Sequence, residues 1–291
     1  MEENISLMER LDTNYSAFSK GQKRIADFIR ENYDLAATYT AAKLGNEVGV
    51  SESTVVRFAN ELGYDGYPAL LKALATTVRT HSNSLQRLNQ AAKQMKLSAS
   101  PLSAIFKADC AHLKETEESI DKEMFDKVVD TIVEADNIYI LGVRSTWYLA
   151  GIMGYYFRMI FDRVHVLEGT GNVDTLEALC RIQEKDVFIG ISFPRYSLRT
   201  ARAMDFAKKH GAKTVTITDS MESPLIEYAD YPLIAKSDVV AIVDSLTAPL
   251  SLMNALIVAV CMKKKEELEE RLNELEDLWG EYKVYDDHVL D

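Results

Sequence analysis

The stretch from Asp186 to Ser220, DVFIGISFPRYSLRTARAMDFAKKHGAKTVTITDS, constrains the fold more than any other part of the chain. Asp186 to Ile191 is nearly all apolar and barely alternates, as expected of a strand covered on both faces of a parallel sheet. Thr200 to His210 places Ala201, Met204, Phe206 and Ala207 at roughly helical spacing and leaves Arg202, Lys208 and Lys209 for water. Gly211 suits the left-handed position that closes a helix, and Lys213 to Thr218 is a second β-rich run. The unit is therefore strand, helix, strand. Its loop, Ser192 to Thr200, falls at the carboxyl end of the first strand, where open α/β sheets bind ligands. The loop carries three hydroxyls (Ser192, Ser197, Thr200) and two guanidiniums (Arg195, Arg199). Hydroxyls and free N–H groups at a helix start favour an anion, commonly phosphate, although Ser and Thr also serve as plain caps there. A second strand, Ile138 to Gly142, ends in the same chemistry with Arg144, Ser145 and Thr146. Two such strand ends point to one shared anionic ligand.

Further strands are expected at 163–167 and 231–234. Helices are expected at 103–120, 123–135, 145–161, 173–181, 199–210 and 222–228, which gives a five-stranded parallel sheet with right-handed crossovers. Asp244 to Leu278 reads as one long helix, apolar nearly all round in its first half. Its second half has a stripe of Leu268, Leu272, Leu275 and Trp279. The tail from Tyr285 to Asp291 is acidic and expected to fray.

The N-terminal third has a different pattern. Residues 19–34 place Ile25, Phe28, Ile29 and Tyr33 on one helical face, with Lys20, Lys23, Arg24 and Arg30 off it. Residues 41–49 form a short helix with Ala42, Leu44 and Val48 facing inward. After a Gly49-Val50 turn, Ser51 caps a helix to Leu62 that buries Val55, Phe58, Ala59 and Leu62. This is the helix-turn-helix pattern. The second helix turns Ser51, Glu52, Ser53, Thr54, Arg57 and Asn60 outward, residue types that contact phosphates and base edges. The plainer reading is a helical packing module, since helical hairpins are common.

At 291 residues the chain has room for two domains. The net charge of −12 argues against nonspecific nucleic-acid binding by the whole surface. Residues 1–80 are close to balance, with nine Lys/Arg against eleven Asp/Glu, so most of the acid lies elsewhere. No apolar run reaches the ~20 residues of a membrane span, and MEENISLMERLD has no secretory core. A cytoplasmic protein without membrane partners is expected. Cys110, Cys180 and Cys261 are widely spaced without a C-x-x-C pair, so neither metal nor disulfide is expected, and the thiols read as buried.

The segment LGNEVGVSESTVVRFANELGYDGYPALLKAL, with KGQKRIADFI before it, closely resembles the helix-turn-helix of RpiR-type bacterial transcriptional regulators. In the second half, ILGVRSTW and AKKHGAKTVTITDSMESPLIEYADY resemble the sugar isomerase (SIS) domain of the same family. The resemblance spans roughly residues 1–260. It implies an all-α helix-turn-helix bundle at 1–80, a linker at 81–105 and an α/β SIS-like domain at 106–291. The function it implies is operator binding under control of a phosphosugar or other anionic sugar, by a dimer or tetramer without cofactor or metal. Effector contacts would come from Arg144, Ser145, Ser192, Arg195, Ser197 and Thr200. The chain departs from the usual Ser-x-Ser-Gly-x-Thr phosphate loop, because Pro194 and Arg195 replace the Ser-Gly pair. Proline removes an N–H donor, while Arg195 offers a bidentate grip on phosphate or carboxylate.

The alternative is a sugar-phosphate isomerase, or a SIS protein with a vestigial DNA-binding half. Isomerisation needs a positioned base, and His165 and Glu168 are the visible candidates. His165 is expected to face a helix from its strand. No other His–acid pair at helical spacing appears, so a non-enzymatic regulator is the expectation.

Overall fold

The computed structural model describes residues 7–81, 85, 87–88, 100–167, 172–240 and 242–284. Most of the expected linker, Glu168 and the acidic tail from Tyr285 lie outside the described residues. The chain divides into two compact units, one running to residue 97 and taking in 239–242, the other formed by the remainder.

The first unit is helical: α1 (Leu7–Asn14), α2 (Lys20–Glu31), α3 (Tyr33–Ala36), α4 (Ala41–Val48), α5 (Glu52–Glu61) and α6 (Gly66–His81). α2 begins with a capping box. The Ser19 N–H donates to Gln22 Oε1 at 2.8 Å and the Gln22 N–H to Ser19 Oγ at 3.4 Å, which satisfies two otherwise orphaned donors. The helix expected over 19–34 ends early, because Asn32 leaves the helical region at φ −138° and α3 begins anew. Leu11, Phe18, Ile25, Ile29, Leu44, Val55, Phe58, Leu62, Leu70 and Leu74 form one buried core. Each such side chain contributes about 1.5–3 kcal/mol relative to exposure. In α4 the buried positions are Ala41, Leu44 and Gly45, and Ala42 is exposed instead of inward. A helix this short fits only a narrow stripe against α5, and that stripe begins one residue earlier than the sequence suggested.

The second unit is a three-layer α/β sandwich. Helices α7 (Pro101–Ser119) and α8 (Lys122–Val133) precede β1 (Ile138–Gly142), α9 (Ser145–Ile160), β2 (Val164–Val166), α10 (Asn172–Ala178), β3 (Val187–Ile191), α11 (Leu198–Lys209), β4 (Lys213–Thr218) and β5 (Tyr231–Ile234). The expected helix at 222–228 is only a 3₁₀ turn, Ile226–Tyr228. Two short strands at Val239–Val240 and Val243–Asp244, unforeseen from sequence, precede α12 (Thr247–Lys263) and α13 (Lys265–Glu281). All pairings in the main sheet are parallel, in the order β2-β1-β3-β4-β5.

Every residue of β1 and β3 is buried, which is why both read as unbroken apolar runs. Side-chain alternation sends Ile138, Ile140, Val187, Ile189 and Ile191 to one face with Leu149, Met153, Phe157 and Leu256. Tyr139, Leu141 and Phe188 go to the other face with Leu179, Ala203, Met204 and Ala207. The single C-terminal helix of the sequence reading is two helices bent by 98°. Lys264, at φ −106° and ψ 28°, is the break. α12 buries Leu252, Met253, Leu256 and Val260 in the core, whereas α13 has no fully buried residue and lies against α9, with Arg271 paired to Asp162. An all-round apolar helix and a one-striped charged helix need different neighbours, so the chain turns where its composition changes. No single helix among the described residues is long and apolar enough to cross a membrane.

The thiols are not uniformly buried as expected. Cys110 and Cys180 are exposed and Cys261 is partly covered, with burial pushing the Cys261 thiol above its ordinary pKa. No group of three or more potential metal-binding side chains occurs among the described residues.

Candidate functional site

In the helical unit, α4, a turn and α5 form the helix-turn-helix. Gly49 ends α4 at φ 69°, a left-handed conformation that disfavours side chains with a Cβ. The exposed Arg24 of α2 donates from Nη2 to the Gly49 carbonyl at 2.9 Å and ties α2 to this turn. Ser51 caps α5 by accepting the Thr54 N–H at 3.3 Å. Its hydroxyl also lies 2.9 Å from Ser53 Oγ and 2.8 Å from Thr54 Oγ1. Ser51, Glu52, Ser53, Arg57 and Asn60 are exposed, and Thr54 is partly buried. Arg57 lies back along the helix, with Nε donating to the Ser53 carbonyl at 3.3 Å. Asn60 has a structural duty the sequence did not reveal: its Oδ1 accepts the Gly66 N–H at 3.0 Å and steadies the start of α6.

In the α/β unit, the chain leaves β1 toward β2 and leaves β3 toward β4, so the sheet reverses its winding between β1 and β3. At such a reversal two loops diverge and open a crevice at the carboxyl edge. The β1–α9 corner is tight. The Thr146 hydroxyl accepts the Val143 N–H at 2.8 Å and donates to the Val143 carbonyl at 2.9 Å. Gly142 is required there, because a Cβ would fall 2.2 Å from the Thr146 carbonyl oxygen. Arg144 is exposed and sits at φ 62°, ψ −124°, outside the allowed regions for a residue with a side chain and at a cost of about 1–3 kcal/mol. Ser145 donates to Asp244 Oδ2 at 3.1 Å.

The β3–α11 loop is closed on itself. Ser192, 4% exposed, accepts the Ser197 N–H at 3.0 Å. Ser197 caps α11 by accepting the Thr200 N–H at 3.2 Å. Thr200 is fully buried, and its Oγ1 has no hydrogen-bond partner. Arg195 is exposed at φ 45°. The Tyr196 hydroxyl donates to Asp219 Oδ1 at 2.8 Å, and Asp219 is 1% exposed.

Beside the crevice lies a cavity of about 240 Å³. Gly142, Val143, Arg144, Trp147 and Tyr148 of the β1–α9 corner line it, with Leu167 from the end of β2 and Arg199 from α11. Arg199 is partly buried, and its Nε donates to the buried Thr175 Oγ1 at 2.6 Å. Of the effector residues expected from sequence, only Arg144 lines this cavity; Arg199, Trp147 and Tyr148 join it through the tertiary fold. His165, expected to face a helix, is exposed on the edge strand β2 and stacks on Tyr139 at 4.7 Å. Val166 meets Gly154 of α9 on the covered face of β2, and alternation turns His165 to the opposite face.

Replacing Arg144 with glycine separates strain from function. Relief of about 1–3 kcal/mol exceeds the ~0.5–1 kcal/mol entropic cost of the glycine. The Arg144→Gly protein is expected to melt above wild type in scanning calorimetry; a lower midpoint would show that Arg144 contributes more by contact than it costs in strain.

A helix-turn-helix unit followed by a parallel α/β unit with a cavity at its carboxyl edge defines the two-domain transcriptional regulators. The "Helix-turn-helix domain, rpiR family" matches residues 5–81 and the "SIS domain" matches residues 131–259. The chain therefore carries an rpiR-family helix-turn-helix domain followed by a SIS domain. It is 28% identical over 232 residues to an uncharacterized HTH-type transcriptional regulator of Haemophilus influenzae, covering 79% of each chain. It is 22% identical over 278 residues to the HTH-type transcriptional regulator HexR of Pseudomonas aeruginosa, covering 94% of this chain and 95% of that one. The sugar isomerase domain of an RpiR transcription factor from Sphaerobacter thermophilus superposes with a TM-score of 0.58 at 25% identity, covering 61% of this chain and 98% of that one. NanR of Vibrio vulnificus, solved in complex with ManNAc-6P, gives a TM-score of 0.58 at 20% identity, covering 94% of this chain and 98% of that one. The Haemophilus influenzae and Pseudomonas aeruginosa relatives are both named as transcriptional regulators.

Proposed function

We propose that the protein is a cytoplasmic regulator whose affinity for operator DNA is set by an anionic sugar bound at the carboxyl edge of its α/β sheet. The observation that carries this is the pairing, in one chain, of an exposed Ser51–Asn60 recognition surface with an Arg-lined cavity. The DNA-binding domain spans residues 1–80, the linker 81–105 and the effector domain 106–291. The protein acts as a dimer or tetramer, since paired recognition helices match a palindrome with half-sites about 10 bp apart. Ser51, Ser53 and Thr54 supply hydroxyls to phosphates and bases, Glu52 can accept from a cytosine amino group, and Arg57 can donate to guanine. Asn60 contributes its amide N–H₂, its carbonyl being engaged with Gly66. In the α/β unit the effector cleft lies at the two strand ends that carry Arg144, Ser145, Ser192, Arg195, Ser197 and Thr200, and of these Arg144 lines the cavity. That NanR binds a sugar phosphate on the same fold supports a ligand of this class.

The test is selection of duplexes from a random pool, followed by binding titrations with sugar phosphates and sugar acids. A palindromic consensus whose affinity shifts about 5–150-fold with one ligand is expected. Recovery of no consensus would remove DNA binding from the reading. Arg57→Ala is expected to weaken the selected operator by about 1–3 kcal/mol and relax preference at one position; unchanged affinity would take Arg57 out of the recognition surface.

A further inference from the structure

We infer that the effector's anionic group is gripped by Arg144 and Arg199 across the cavity at the β1–α9 corner, and not by the Ser192–Ser197 loop. This rests on the effector reading above and locates the ligand within it.

The loop is poorly equipped to receive an anion. The Ser197 N–H is spent on Ser192 Oγ, the Thr200 N–H on Ser197 Oγ and the Ser192 N–H on the Ile217 carbonyl. Pro194 has no N–H to give. The Tyr196 hydroxyl is turned to Asp219, a carboxylate 1% exposed beneath the loop that repels a second negative charge. Ser192 is 4% exposed, so its hydroxyl is withdrawn from a ligand.

The cavity has the opposite character. Two guanidiniums line it, and no carboxylate is among its described lining residues. An anion between the two would be attracted to both charges. Arg199 is held before any ligand arrives, anchored through Nε to Thr175, itself 1% exposed, while the exposed Arg144 projects from the β1–α9 corner. Guanidiniums suit the planar bidentate geometry of phosphate and carboxylate oxygens. Trp147 and Tyr148, edge to face at 5.3 Å, supply the aromatic wall on which the C–H face of a sugar ring can lie. A volume of about 240 Å³ is below the ~300–1,000 Å³ typical of drug-sized ligands. A space of that size accommodates a single sugar carrying one phosphate or carboxylate.

Calorimetric titration of the full chain tests this with glucose 6-phosphate, N-acetylmannosamine 6-phosphate, gluconate and uncharged glucose as probes. Wild type is expected to bind a phosphorylated or carboxylated probe at least tenfold more tightly than glucose, and the better of the two arms tells phosphate from carboxylate. Arg199→Gln and Arg144→Gln are each expected to erase that preference. Arg195→Gln and Ser197→Ala are expected to change it less than threefold, and Arg199→Lys to restore part of it, which separates lost charge from lost folding. Charge preference that survives both Arg144→Gln and Arg199→Gln but collapses in Ser197→Ala would overturn the inference and return the anion to the loop, with the effector reading intact. Failure of wild type to bind any charged probe would overturn the effector reading itself, and the inference with it.

Discussion

Phe58→Ala is expected to abolish operator binding by unfolding the helical unit while the α/β unit stays folded and binds its ligand. Phe58 is fully buried and packs its ring on Phe18 at 5.1 Å and a 57° tilt, at the centre of the cluster that holds α1 to α6 together. Truncating such a side chain costs about 3–5 kcal/mol through lost transfer energy and the cavity left behind. A whole domain is stable by only about 5–15 kcal/mol, and a helical unit of this size sits toward the low end. Circular dichroism melts with and without ligand read the result. Loss of a helical transition with ligand-dependent stabilisation preserved is the expected pattern. Simultaneous loss of both transitions would show that the two units fold as one cooperative block.

Gly142→Ala is expected to destroy the effector cavity. A single methyl group at this position meets the Thr146 carbonyl oxygen at 2.2 Å and its carbon at 2.6 Å. Both are backbone atoms of the first turn of α9, and they cannot rotate away as a side-chain end could. The turn is also locked by the reciprocal Thr146–Val143 hydrogen bonds, so relief requires moving Arg144, Trp147 and Tyr148 together. Overpacking of this kind costs about 1–3 kcal/mol and more where backbone must shift, and at least a tenfold loss of effector affinity should accompany it. Gly151→Ala on the same helix is the control. A Cβ there meets nothing within 4 Å, and replacing a mid-helix glycine gains about 0.5–1 kcal/mol. Equal melting temperatures for the two variants would refute the close approach at Gly142.

Much of this protein was legible in its sequence because local chemistry and global fold agree. The apolar runs at 138–142 and 187–191 became strands at those bounds, since a strand covered on both faces has no use for polar alternation, and the β-rich run at 213–218 became a strand at its own bounds. Ser51 capped its helix, and Val55, Phe58, Ala59 and Leu62 went inside, because 3.6-residue periodicity leaves one face to the core. The helix-turn-helix and the strand–helix–strand units were therefore open to reading without a structure.

The tertiary structure decided what depends on neighbours distant in sequence. His165 on the edge strand β2 points away from the face that α9 covers and is exposed, and strand order is not written in any one strand. The break at Lys264 reflects two helices with different partners, which periodicity within either could not reveal. Arg199 was visible as a charge in a loop, but its anchoring to Thr175, 24 residues away, and its place with Arg144 in the lining of one cavity required the folded sheet. The sequence by itself determined the buried strands, the helix-turn-helix and the two-domain order. Only the fold decided which guanidiniums share a cavity and which hydroxyls are consumed within their own loop, because hydrogen-bond donors are allotted by three-dimensional proximity and not by spacing along the chain.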